Sequence, residues 1–168
     1  MIDELTENMK SMFVQAFERI NNNFRKIFAE LFGGGKGELI LTDPENVLEC
    51  GIEINVQPPG KVITNLMSLS GGEQALVAIA IYFSILKISP SPFCLLDEIE
   101  AALDDVNVSR YAQYLHRLTD KTQFITITHR RGTMEEADVL YGVTMQEKGI
   151  SKLLKMSAEE TRQMKFEN

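Results

Sequence analysis

With 168 residues, the chain has room for one well-buried domain and not for two of ordinary size. Its 44% hydrophobic and 24% charged residues are those of a globular protein, and its longest apolar run, Ala75 to Phe83, falls far short of the roughly 18 residues of a membrane span. The formal net charge of −7 argues against the chain as an autonomous nucleic-acid binder, because phosphate contacts require clustered Lys and Arg.

In chain order, Ile2, Leu5, Met9, Met12 and Ala16 advance in alternating steps of three and four, the seam of a coiled coil. Ile20, Phe24, Ile27 and Leu31 continue after two steps of four, a slip that suits passage from coiled coil into globular packing. A long amphipathic helix has the same pattern over so few heptads. The first thirty residues contain acids and no compact apolar core before a cleavage site, so no signal peptide is expected.

The stretch FGGGKGELIL, from Phe32 to Leu41, looks at first like a phosphate-binding loop. It fails on three counts: Gly35-Lys36 is followed by Gly37 rather than a hydroxyl residue, Glu30 stands where the first glycine is required, and the run follows a helix instead of a strand. It reads as a glycine helix stop and turn. No other segment has the Gly-x4-Gly-Lys-Ser/Thr spacing.

Glu38–Thr42 and Cys50–Gln57 alternate as strands do, with Asp43-Pro44-Glu45-Asn46 as the turn of a hairpin. Cys50 and Cys94 show no metal-ligand spacing and read as two buried, reduced thiols. Gln74–Ile88 is apolar almost all round, the mark of a buried helix. Phe93-Cys94-Leu95-Leu96 reads as a strand buried on both faces, Asp105–Leu118 as a helix, Gln123–Thr128 as a second buried strand and Thr133–Ala137 as a short helix. Val139–Gln146 and Ile150–Met156 read as closing strands around Lys148-Gly149, with a polar tail from Ser157. Strand and helix alternating from Phe93 imply a parallel sheet covered by helices.

Four clusters at the ends of these elements carry chemistry. Ser70-Gly71-Gly72-Glu73 is a helix N-terminus with a capping box, and its exposed N–H groups and glycines also suit a phosphate. Asp97-Glu98 ends an apolar strand, where carboxylates are worth their desolvation only with a cation or a proton to manage. Asp97 fits a magnesium-associated acid and Glu98 a general base that activates water. Asp104-Asp105 starts a helix, and His129 ends the second strand, placed to hydrogen-bond a phosphate or to serve as a loop residue. His116, within a helix, reads as a surface residue.

The order of these clusters is that of the C-terminal part of an ATP-binding cassette ATPase. The wording LSGGEQ, PSPFCLLDEIEAALDD, FITITHRRGTMEEADVLYGVTM and ELFGGGKGELILTDPEN resembles the C-terminal head segment of prokaryotic structural maintenance of chromosomes (SMC) proteins, over nearly the whole chain. The fold this implies is α/β: the C-terminal half of a cassette-type head, a parallel sheet with flanking helices plus a β-hairpin, preceded by a coiled-coil stub. Residues 1–32 would be the coiled-coil base, 33–156 the head lobe and 157–168 a polar tail.

The resemblance also implies roles. Ser70, Gly71 and Gly72 would contact the γ-phosphate of ATP held on an opposite head, Asp97 would order Mg2+, Glu98 would be the catalytic base, Asp104 the dimer-interface acid and His129 the switch histidine. Implied partners are the N-terminal head lobe with the phosphate loop, a second SMC head, a kleisin subunit, and DNA through the whole complex, with no membrane. The implied location is cytoplasmic and chromosome- or nucleoid-associated, in chromosome condensation and segregation. The family usually has Lys or Arg where this chain has Gln74, so a charged contact from that position is not carried over. The other readings are a non-catalytic module that binds a kleisin or a partner head, a related DNA-repair ATPase, and a transporter cassette, which the N-terminal heptads disfavour.

Overall fold

The computed structural model describes residues 2–61 and 66–157. Ten helices and strands follow in order: α1 (Ile2–Phe32), β1 (Lys36–Leu41), β2 (Ile52–Gln57), α2 (Gly71–Leu86), β3 (Phe93–Asp97), α3 (Asp105–His116), β4 (Gln123–Ile127), α4 (Arg131–Glu135), β5 (Val139–Glu147) and β6 (Ile150–Ser157), with a short 3-10 turn at Leu66–Ser68. Most of the polar tail, residues 158–168, lies outside the described residues.

Helix α1 changes character along its length. Ile2, Leu5, Met9 and Met12 of the heptad seam stand exposed, whereas Phe24, Ile27, Phe28, Leu31 and Phe32 are buried. Phe28 stacks on Phe32 with ring centroids 4.2 Å apart. The glycine run then stops the helix: the Gly34 N–H donates to the Ala29 carbonyl at 2.8 Å, Gly33 takes φ 70°, and Arg110 Nη1 donates to the Phe32 carbonyl at 3.0 Å. This left-handed C-terminal stop satisfies carbonyls that would otherwise lack partners. FGGGKGELIL is therefore a helix end running into β1.

Strands β1 and β2 pair antiparallel from Lys36↔Gln57 to Leu41↔Ile52. The Asn21 side chain ties this hairpin to α1, donating to the Leu39 carbonyl and accepting from the Leu39 N–H, both at 2.9 Å. Gly37 lets the strand lie against the α1 aromatics, since a Cβ there would meet the Phe28 ring at 2.8 Å.

The core joins the second half of α1 to α2 and α3. Phe83 of α2 is fully buried and packs between Tyr111 and Tyr114 of α3, at ring-centroid distances of 6.0 and 5.5 Å. The Tyr111 hydroxyl is buried without a hydrogen-bond partner among the described residues, and burial pushes it well above the usual tyrosine range. Helix α2 begins at Gly71 behind its N-cap Ser70, so the apolar stretch from Gln74 starts after the first turn.

Three expectations are corrected. Strands β3 and β4 do pair in parallel, from Phe93↔Gln123 to Asp97↔Ile127, but they are not buried on both faces. Cys94 and Leu96 point into the core, while Phe93 is 64%, Leu95 60%, and Ile125 and Ile127 each 50% exposed. Among the described residues, helices cover one side of this pair, and the apolar residues of the other side have no layer above them. The parallel pairing stops at two strands among the described residues, because β5 and β6 pair antiparallel with each other. The cysteines are both free, as expected, but only Cys94 is buried; Cys50 is partly exposed in the hairpin loop, where its Sγ donates to the Val47 carbonyl at 3.6 Å.

Candidate nucleotide-handling site

The parallel pairing of β3 and β4 delivers two loops to one end of the sheet, at the strands' carboxyl ends, where ligands bind in open α/β sheets. From β3 comes Asp97-Glu98. The Glu98 N–H extends the ladder by donating to the Ile127 carbonyl at 2.9 Å, and Glu98 then turns to φ 48°. It is the one non-glycine residue with positive φ among the described residues, a conformation that costs of order 1–3 kcal/mol and clusters at functional sites. From β4 comes His129, whose Nδ1 lies 3.2 Å from Glu98 Oε1. A carboxylate only accepts, so in this contact Nδ1 carries the proton.

Asp97 is exposed, and its carboxylate makes no hydrogen bond or ion pair among the described residues. Among those residues no group of three His, Cys, Asp or Glu side chains is placed to hold a metal ion. A lone free carboxylate fits Mg2+, which is commonly held by one or two carboxylates together with substrate phosphates and waters.

Ser70 caps α2 as the spacing predicts. Its Oγ accepts from the Glu73 N–H at 3.4 Å, and Glu73 Oε2 accepts from the Ser70 N–H and hydroxyl, each at 2.9 Å. Lys61 holds the other Glu73 oxygen at 2.7 Å. That contact, followed by the Ser70 N–H bond, keeps the Glu73 carboxyl below its ordinary value. Its contribution to stability is therefore present above the ordinary carboxylate range and lost as pH falls through the lowered value.

The two glycines that open α2 differ. A Cβ on Gly71 would meet open space, whereas one on Gly72 would meet the Ala102 carbonyl oxygen at 2.7 Å. The start of α2 thus packs against the loop leading to α3. Gly72→Ala should lower the melting temperature relative to Gly71→Ala, because overpacking against backbone costs roughly 1–3 kcal/mol while the helix gains at most about 1 kcal/mol from the alanine. Parallel thermal melts check the order, and equal midpoints would remove the close approach as the reason for glycine at 72.

Asp104 is the N-cap of α3: one oxygen accepts from the Asn107 N–H and the other from Asn107 Nδ2, both at 2.9 Å. Its carboxylate is used within its own helix turn. The structure therefore brings Glu98 and His129 into contact, with Asp97 adjacent, and seats Gly72 against the loop before Asp104. Among the described residues, the Ser70 side chain hydrogen-bonds within its own helix turn, with Glu73, and not to Glu98 or His129.

One charged residue of this region escaped the motif reading. Glu100 is 1% exposed and accepts hydrogen bonds from Thr128 and Thr133. Its apolar surroundings, Ile99 before it and Ala101-Ala102-Leu103 after it, were the sequence signal.

Residues 5–152 match the family model described as RecF/RecN/SMC N terminal domain. Among curated relatives, the chain is 58% identical over 163 residues to the chromosome partition protein Smc of Bacillus subtilis, covering 97% of this chain and 14% of that protein. It is 58% identical over 159 residues to Smc of Desulfitobacterium hafniense, covering 95% of this chain and 13% of that protein. Among solved structures, one from a study of ATP-driven dimerization and DNA-stimulated activation of SMC ATPases superposes with a TM-score of 0.83 at 42% identity, covering 94% of this chain and 96% of that one. The Smc head domain of Pyrococcus furiosus, with an extended coiled coil and bound to the C-terminal domain of ScpA, superposes with a TM-score of 0.86 at 42% identity, covering 99% of this chain and 42% of that one.

Proposed function

Because the chain belongs to the RecF/RecN/SMC family, we propose that it is the C-terminal lobe of an SMC ATPase head and works as one half of a composite ATP site. The observation that carries this reading is the contact of Glu98 with His129 at the carboxyl ends of two parallel strands, beside a free Asp97. An acid held in a left-handed turn next to a histidine suits activation of a water molecule for attack on a γ-phosphate.

In this reading Glu98 takes the proton of the attacking water through a carboxylate oxygen. His129 orients that carboxylate through Nδ1 and turns its other ring nitrogen toward the γ-phosphate. Asp97 would hold Mg2+, whose charge would offset that developing on the phosphates. Ser70, Gly71 and Gly72 present the α2 N-terminus to the γ-phosphate of ATP on an opposite head. The Ser70 hydroxyl, bonded to Glu73 in the free lobe, is released for that contact. Asp104, capping α3, faces the same interface.

Two features support a half-head rather than a complete one. The sequence has no Gly-x4-Gly-Lys-Ser/Thr loop, and parallel sheets are ordinarily covered on both faces, whereas Phe93, Leu95, Ile125 and Ile127 lie bare. The missing loop also weighs against an N-terminal lobe, the part named in the family model's description. By the same reading residues 1–32 form the base of a coiled-coil arm, 33–156 the lobe and 157–168 its tail. The complete assembly is a dimer of heads that recruits a ScpA-type kleisin, contacts DNA through the whole complex, and acts at the chromosome in the cytoplasm.

Calorimetry tests the division of labour. The chain alone should bind ATP with Mg2+ no better than about millimolar, and about micromolar binding should appear when an SMC head lobe that carries a Gly-x4-Gly-Lys-Ser/Thr loop is added. Micromolar binding to the chain alone contradicts the half-head. A chain that joins that lobe or a kleisin with no gain in ATP binding would instead be a non-catalytic module.

A further inference from the structure

Glu100 sits between Glu98 and Asp104, and its carboxylate is buried without an ion-pair partner among the described residues. Burying an acid is costly unless hydrogen bonds repay it, so its partners are informative. Both donors converge on one oxygen: the Thr128 hydroxyl at 2.5 Å and the Thr133 hydroxyl at 2.9 Å both reach Glu100 Oε1. Thr128 directly precedes His129, and its Oγ in turn accepts from the Arg130 N–H at 3.0 Å. Thr133 lies in α4, just beyond. The Arg130 side chain returns across the same gap, donating to the Leu103 carbonyl and to Asp105 Oδ1. The loop carrying Glu98 and the loop carrying His129 are thus strapped together through Glu100 on one side and Arg130 on the other.

We propose that Glu100 is a positioning residue for hydrolysis, fixing the His129 loop in register with Glu98. The proposal rests on the assignment of Glu98 and His129 to the ATP site. An apolar residue would fill the same space, but it would leave two threonine hydroxyls without the acceptor they share and nothing to set the height of the His129 loop. A connected polar network specifies one arrangement where apolar packing tolerates several. Glutamine preserves an accepting oxygen for both hydroxyls, whereas alanine preserves none.

The assembled two-lobe head gives the kinetic test. Glu100→Ala should lower kcat by roughly 10²-fold, the order expected when a reacting group is misplaced by about an ångström. KM for ATP should stay within about threefold, since Glu100 touches no group assigned to ATP binding. Glu100→Gln should recover most of the lost rate, and Thr128→Val should fall between. Wild-type turnover in Glu100→Ala, or a Glu100→Gln no better than alanine, overturns the proposal.

Amide hydrogen exchange on this chain alone supplies a second readout that needs no nucleotide. Glu100→Ala should accelerate exchange across 128–135 and leave α2 protected, with Glu100→Gln near wild type. Unchanged exchange at 128–135, or equal loss of protection in α2, overturns the positioning role. If the wild-type assembly hydrolyses no ATP, the functional assignment fails, and the exchange experiment still decides whether Glu100 sets the His129 loop.

Discussion

Glu98→Gln should reduce ATP turnover of the assembled head by roughly 10²–10⁴-fold, the usual worth of a general base. Glutamine keeps the size and the accepting oxygen of the side chain, so the contact with His129 at 3.2 Å can persist while the proton acceptor is lost. ATP-driven association of heads should survive, because Glu98 is assigned to chemistry and not to holding the two surfaces together. The backbone offers an independent check. At φ 48°, Glu98 occupies a region that glycine adopts without cost, so Glu98→Gly should be folded and about 1 kcal/mol more stable than wild type while equally inactive. Steady-state hydrolysis, head cross-linking and thermal melts measure these together. Turnover that persists in Glu98→Gln removes Glu98 as the base.

Phe83→Ala should be the most damaging core substitution in α2. Phe83 is fully buried and stacks against Tyr111 and Tyr114, which are themselves buried in α3, so its loss opens a cavity where two helices meet. Such truncations cost about 3–5 kcal/mol. Domain stabilities are only about 5–15 kcal/mol, and a lobe with one sheet face bare has less burial than most. The midpoint of thermal unfolding should drop by on the order of 10 °C. The same substitution should impair any activity through folding, with no change in the exposed Glu98–His129 pair itself. Urea titration with circular dichroism reads the loss; a change below about 1 kcal/mol would mean that the α2–α3 contact is not central to the core.

Local chemistry made much of the site legible in the sequence. Ser70 followed three residues later by Glu73 announces the capping box that the structure contains. The three glycines after Phe32 announce the helix stop, and the apolar strand ending in Asp97-Glu98 announces a loop with unusual acids. Burial across β3 was not legible. Phe93-Cys94-Leu95-Leu96 is apolar at every position, so periodicity has no way to separate the face packed on α2 and α3 from the bare one. The left-handed turn at Glu98 was hidden as well, because no residue type marks it and it follows from how β3 meets β4. Glu100 was missed for a related reason: its partners lie 28 and 33 residues further along, and only the fold brings them to one oxygen.

The bare sheet face and the absent phosphate loop bear on the same physical question. In the proposed reading, Glu98 and His129 act on ATP whose phosphates are held by a loop on another surface. Phe93, Leu95, Ile125 and Ile127 offer an apolar surface next to the very loops that hold Glu98 and His129. In that reading, a lobe covering this face would add the missing layer beside the loops of Glu98 and His129.

Hydrolysis on mixing tests the central claim most directly. This chain and an SMC head lobe that carries a Gly-x4-Gly-Lys-Ser/Thr loop, each assayed alone and then together, should show ATP turnover only in the mixture, and Glu98→Gln in this chain should abolish it. Turnover by this chain alone, or a mixture that forms a complex yet hydrolyses nothing, would contradict the composite ATP site.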